Sequence, residues 1–463
     1  MVIDWDEIDR RIMGEAWVGS RLQEYLTELC TRIGPRWAST AGEQRAAHYI
    51  KDQMDRVGLT DARLEEFDID TWDHEPAEAY IPEDERPVAL LPLLNCPPID
   101  LRAPLVDAGF GMPHELEPIA DRLSGSIAVL NLAAEPFSPP RILPDRLLDL
   151  RAAGAVAAVV VDEKSGGRME YHRTTDKRRA QRVGQILPHP LPTVLTSRED
   201  GAVLRLAAGE DKSLAIRLQT RSYRAQAFNT VAELPGAVWP DETLVLGAHH
   251  DTYPASPGGN DNASGTVVVL DVARVLAQLC REEGAVPGRA IRFCTWSGEE
   301  QNFQGSAAYV RRHHGPEPLP RLVVNLDEIG AGPIKGVVLQ FPELRPLIQR
   351  TLNALDDGLQ CHVLDGLDHS NDGFSFACSG IPYAILWRWR FVGRHPDADY
   401  RGEPGDTADK VRARELKEYV GQLARLLLRL SHLPPQDWPE NTLDSDEIKD
   451  RFKREVGTTM RTM

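Results

Sequence analysis

The 463-residue chain has no run of 18 or more apolar residues, so the sequence offers no uninterrupted membrane-spanning stretch. It also lacks the basic start and following apolar run of a secretory leader, because it begins Met1-Val-Ile-Asp-Trp-Asp-Glu-Ile-Asp-Arg-Arg. Cysteine is sparse. The six residues Cys30, Cys96, Cys280, Cys294, Cys361 and Cys378 are scattered without a C-x-x-C pair, and reduced thiols in a cytoplasmic protein are expected. Positive charge is in deficit: 53 Lys and Arg face 70 Asp and Glu, a net charge of −17. A phosphate-binding footprint needs a basic face, so nucleic acid is excluded as the main partner. No internal repeat is present. What remains is ordinary globular composition, 42% hydrophobic and 27% charged, enough for about three folding units.

Texture divides the chain into residues 1–82, 83–225, 226–433 and 434–463. In the first, Leu22, Tyr25, Leu26 and Leu29 recur at helical spacing, and a second helical pattern runs from Gly42 to Val57 before Gly58. The second is rich in proline and short apolar runs and reads as a smaller β-rich insertion. Its basic stretch from His172 to Arg182 reads as a solvated loop rather than a ligand surface. From 226 onward strands alternate with helices, predicting an α/β fold with a mainly parallel mixed sheet flanked by helices. The expected strands are 243–247, 290–296, 322–326 and 381–387, and the long helices are 262–279 and 411–432. The segment after Pro434 is a polar tail.

In an open α/β sheet, ligands bind beyond the carboxyl ends of the strands. Three strands deliver metal-type donors there: Gly247-Ala-His249-His-Asp251, Trp296-Ser-Gly-Glu299-Glu300 and Asn325-Leu-Asp327-Glu. Between the first two lies Gly259-Asn-Asp261-Asn-Ala-Ser-Gly265. Each piece alone has an ordinary explanation, such as a hydrogen-bonded loop, an acidic helix start or a solvated turn. At successive strand ends they read together as a metal centre. A pair of divalent ions needs one bridging carboxylate, and a short loop acid such as Asp261 suits that. Imidazole and carboxylate donors favour zinc, with manganese or cobalt compatible. Asp251 can fix the His249 tautomer. Of the adjacent pair Glu299-Glu300, one carboxylate serves as ligand and its neighbour as general base.

These segments resemble the M28 family of zinc peptidases, which includes co-catalytic aminopeptidases. Gly305-Ser, the stretch Ser370–Pro382 and the N-terminal Ile33-Gly-Pro-Arg36 carry the same resemblance. Residues 83–225 resemble a protease-associated (PA) domain through Gly125-Ser-Ile-Ala-Val-Leu, Ala152-Ala-Gly-Ala-Val-Ala-Ala-Val and Pro192-Thr-Val. The resemblance implies a peptidase domain built from 1–82 and 226–433, a peptide substrate and two zinc ions per chain. It places His249, Asp261 and Asp327 on the first ion and Asp261 and Glu300 on the second, with Glu299 catalytic and Asp251 supporting. One position departs. Where the family carries its last histidine, four residues before an aspartate, Gly402 precedes Asp406. The nearest substitute is His395, with His369 a weaker candidate.

The leading expectation is therefore a metal-dependent exopeptidase, an aminopeptidase, with no membrane or nucleic-acid partner and with homo-oligomers compatible. A carboxypeptidase, amidohydrolase or glutaminyl cyclase on the same scaffold is the alternative, for which an arginine of Trp387-Arg-Trp-Arg390 could grip a carboxylate. A non-catalytic binding protein with a degenerate second metal site is the third reading.

Overall fold

The computed structural model describes residues 4–439 and residue 447, except 176–178, 181, 314–316, 331, 365–367 and 389–398. Two eight-stranded mixed sheets organise these residues. The first runs in the order Thr60–His74, Thr220–Leu234, Arg289–Trp296, Trp239–His249, Leu322–Leu326, Tyr383–Arg388, Ile334–Leu339 and Gln360–Val363. Its middle is parallel. Trp239–His249 pairs in parallel with Arg289–Trp296 on one side and Leu322–Leu326 on the other. The register sets His249 against Trp296 and Ala248 against Leu326, so three carboxyl ends finish side by side.

The helix Ser264–Glu283 packs on this sheet between Ala41–Val57 and Ala413–Ser431. Val267, Val268 and Val269 would favour a strand by local propensity, but all three are fully buried. Burying a valine or leucine is worth roughly 1.5–3 kcal/mol, several times any helix-propensity penalty. The stretch from Gly259 to Glu283 is apolar enough to pass for a membrane span, yet 89% of its most apolar window is buried by the protein itself. It is the central core helix. Gly284, in the left-handed region at φ 66°, ends it.

Thr60–His74 and Thr220–Leu234 form one long antiparallel ribbon that pairs His74 with Thr220. The chain thus leaves the first sheet after 74 and returns at 220, an insertion that begins and ends earlier than the expected 83–225. The second sheet lies in this insertion, with edge strands Arg86–Pro87 and Leu91–Pro92. Its eight strands meet the expected β-rich character, with helices among them. Ile99–Asp107, Ile127–Asn131, Ala157–Val161 and Thr193–Thr196 are mutually parallel, and helices Leu143–Ala152 and Arg198–Gly209 lie among them. Parallel strands need crossovers, and Leu143–Ala152 supplies the one from Ile127–Asn131 to Ala157–Val161. Of the expected tail, 440–446 and 448–463 lie outside the described residues.

Candidate metal centre

His249 ends its strand with its side chain buried. Two features fix it. Gly247 leaves room for the indole of Trp296, since a Cβ there would lie 1.9 Å from the ring. The Thr266 hydroxyl donates to the His249 carbonyl at 2.8 Å. Glu299 and Glu300 follow the neighbouring strand, and Asp327 the third. Asp261 sits in the loop that enters the core helix. Beside it, Asn262 donates to the Leu326 carbonyl at 2.8 Å and accepts from the N–H groups of Gly265 and Glu328. This amide therefore ties the Asp261 loop to the Asp327 strand end.

Asp251 does more than its spacing predicts. The His249 Nδ1 atom lies 3.3 Å from its Oδ1 and 3.1 Å from its carbonyl, which fits the expected imidazole partner. The same carboxylate accepts the backbone N–H of Glu299 at 3.2 Å and of Glu300 at 3.3 Å. Asp406 plays the matching part on the far side, accepting the N–H groups of Asn260 at 2.8 Å and Asp261 at 3.0 Å. Arg36, of the Gly-Pro-Arg segment, is fully buried and donates to the carbonyls of His250, Pro257 and Gly258, clasping the intervening loop.

The donors fit a cation. His249 Nε2 lies 3.2 Å from Asp261 Oδ1 and 3.5 Å from Asp327 Oδ1, and donor atoms of these three residues fall within 4.8 Å of one another. His249, Glu299 and Glu300 form a second such group. Glu300 Oε1 is buried with no hydrogen-bond partner among the described residues, the condition a metal ion relieves. Burial alone lowers the pKa of His249, yet the carboxylates of Asp251, Asp261 and Asp327 outweigh it and hold the pKa well above the ordinary value. Burial, then the charges of Asp261 and Glu299, push the Glu300 carboxyl well up. Excess negative charge in a dry pocket is what a divalent cation neutralises.

Two residues absent from the sequence reading enter the site. Arg173 belongs to the basic stretch taken for a solvated loop. Its Nη2 instead reaches Glu300 Oε2 at 2.9 Å, Glu299 Oε2 at 3.2 Å and the Glu299 carbonyl at 3.3 Å. Asp372 is fully buried close by, and burial, then the Glu299 charge, holds its carboxyl well above the usual range. It lies inside the family-like stretch 370–382, where its carboxylate was the available signal.

Gly402 adopts φ +70° and its carbonyl accepts the Tyr171 N–H at 3.2 Å. His395, expected as the substitute ligand, lies outside the described residues, as do Trp389 and Arg390. His369 packs edge-on to Phe374 and joins no donor group among the described residues.

The sequence profile of peptidase family M28 matches residues 229–427. An aminopeptidase of Bacillus subtilis, YwaD, is 27% identical over 310 residues, 66% of this chain but only 60% of its own length. Carboxypeptidase Q of Mus musculus is 24% identical over 403 residues, covering 83% of this chain and 82% of its own. Among solved structures, an M28 peptidase precursor from Shewanella amazonensis superposes with a TM-score of 0.72 at 19% identity, over 94% of this chain and 99% of the other. BSAP, a zinc aminopeptidase from Bacillus subtilis, gives 0.69 at 21% identity, over 91% and 98%. The two structures share the fold over nearly the whole chain, inserted unit included. The stretch 229–427, which carries the donor residues, is thus similar to peptidase family M28.

Proposed function

We propose that this chain is an M28-family zinc-dependent aminopeptidase that removes N-terminal residues from peptides. The observation that carries the reading is the convergence of His249, Asp261, Glu299, Glu300 and Asp327 at adjacent strand ends, with Asp251 tied to three of them. His249, Asp261 and Asp327 would hold an ion, which supplies Lewis-acid polarisation of the scissile carbonyl and of the attacking water. Glu299 takes the proton from that water and returns it to the leaving amine. Asp251 holds both the imidazole and the Glu299–Glu300 turn in place. Asp261, Asp327, Glu299 and Glu300 make the pocket acidic, which favours the ammonium end of a peptide over its carboxylate end. Names of relatives, aminopeptidase in Bacillus subtilis and BSAP, support the same reading.

A carboxypeptidase is the second reading. Arg173 and Arg401 lie among the acidic groups, Arg401 at 3.9 Å from Glu328, and a guanidinium suits a substrate carboxylate. The name carboxypeptidase Q points the same way. Paired peptides separate the two. An aminopeptidase cleaves a peptide amidated at its carboxyl end and spares one acetylated at its amino end. Cleavage of the acetylated peptide alone would overturn the proposal in favour of the second reading.

A further inference from the structure

The site holds two overlapping donor groups, and both depend on His249. Two ions with one imidazole each are therefore not provided for among the described residues. The position from which a second histidine is expected is Gly402. A side chain there would start at positive φ and within 3.4 Å of the Tyr171 carbonyl and the Tyr253 ring. The segment packed against that glycine is the one that carries Arg173. Tyr171 bonds to Gly402, the Leu94 N–H donates to the His172 carbonyl, and Arg173 bridges to Leu94, so the segment is anchored by the Gly402 loop on one side and by the inserted unit on the other.

Arg173 then delivers its charge to the other donor group. One Nη2 atom contacts both Glu299 and Glu300, and the guanidinium stands 5.9 Å over the face of Tyr253. A buried network holds the segment in register: Lys164 pairs with Glu170 and, at 3.3 Å, with Glu403, and Arg168 donates to Glu403 at 2.8 Å. Glu403 neighbours Gly402, so the loop that has no imidazole is fastened to the loop that brings the guanidinium.

Resting on the metal-dependent reading above, we propose that Arg173 is the second cation of this centre: the chain binds one divalent ion at His249, Asp261 and Asp327, and the guanidinium occupies Glu299 and Glu300 in place of another. One ion would then stand where the sequence reading expects two. The inserted unit is then part of the active centre, because it contributes a fixed positive charge that cannot be removed by a chelator.

The test is zinc stoichiometry by elemental analysis after zinc loading of the full chain, on wild type and on Arg173→Ala and Arg173→Gln, with thermal melts to show that each is folded. One ion per chain in wild type, rising to about two in either folded variant, is expected, because the two carboxylates are released. Two ions in wild type would overturn the assignment while leaving the metal-dependent reading intact, and so would a count fixed at one in a folded variant. No ion in any of the three would overturn the metal-dependent reading itself. If both variants fail to fold, a wild-type count of two still overturns the assignment.

Discussion

Asp251 holds Glu299 by its backbone, with the carboxylate Oδ1 accepting the Glu299 N–H at 3.2 Å. The same oxygen lies 3.3 Å from the imidazole of His249, so one buried side chain couples the proposed base to a proposed ligand. Replacing Asp251 by Asn puts an N–H₂ group where an acceptor is required. Such supporting partners are worth about 10–100-fold in metal affinity. Asp251→Asn should weaken zinc binding by that range in a competition titration, and an unchanged affinity would show that His249 needs no partner.

Glu299 is the proposed proton carrier. Glu299→Gln keeps the shape and removes the base, so turnover should fall about 10²–10⁴-fold. Zinc content should stay at the wild-type level, because His249, Asp261 and Asp327 are untouched. Near-normal turnover in the zinc-loaded variant would assign the proton transfer elsewhere.

The site also depends on packing beneath it. Gly247→Ala drives a methyl into the Trp296 ring, which is fully buried and walled by Phe376 and Tyr309. Overpacking costs about 1–3 kcal/mol where the core can adjust. Chemical denaturation should show a loss of at least that size. A variant as stable as wild type would mean that the indole can move aside.

Away from the site, Glu65 binds His313 at 3.0 Å and Arg63 at 2.7 Å. Burial raises the Glu65 carboxyl, but His313 and then Arg63 bring it down to about 2. Burial lowers His313, and Glu65 and Glu317 raise it above its ordinary value. The depressed acid contributes stability above its unfolded pKa near 4.5, lost as pH falls toward 2. The raised imidazole contributes fully below 6.5, and loses its share as pH rises through the elevated value. Glu65→Gln should therefore cost most between about pH 4.5 and 6.5, roughly 1–3 kcal/mol, less than a fully buried pair because Arg63 is partly exposed. Urea titrations of both proteins at pH 6 and pH 3.5 check this, and an equal difference at the two pH values would contradict it.

The legibility of the fold and site in the sequence followed locality. The strands ending at His249, Trp296 and Leu326 carry buried runs bounded by Gly, Ser and acidic residues, and register brings their ends together. Ile334–Leu339 and Gln360–Val363 escaped notice, because short apolar runs do not say where they pair. The inserted unit read as β-rich, and its helix Arg198–Gly209 was not read from the sequence. Arg173 could not be recognised from its neighbours. Its surroundings are basic and loop-like, and only docking on the Gly402 loop buries it. Asn262 falls at the start of the expected helix 262–279, and its bonds to Leu326 and Glu328 depend on a strand more than 60 residues away.

The central claim is that a metal ion at these strand ends drives removal of an N-terminal residue. The most direct measurement is release of the first residue from an unblocked peptide by the purified chain, before chelation, after chelation and after zinc is restored. The account predicts loss on chelation and recovery with zinc. Release that persists in the fully chelated protein, or that never appears in the zinc-loaded one, would contradict it.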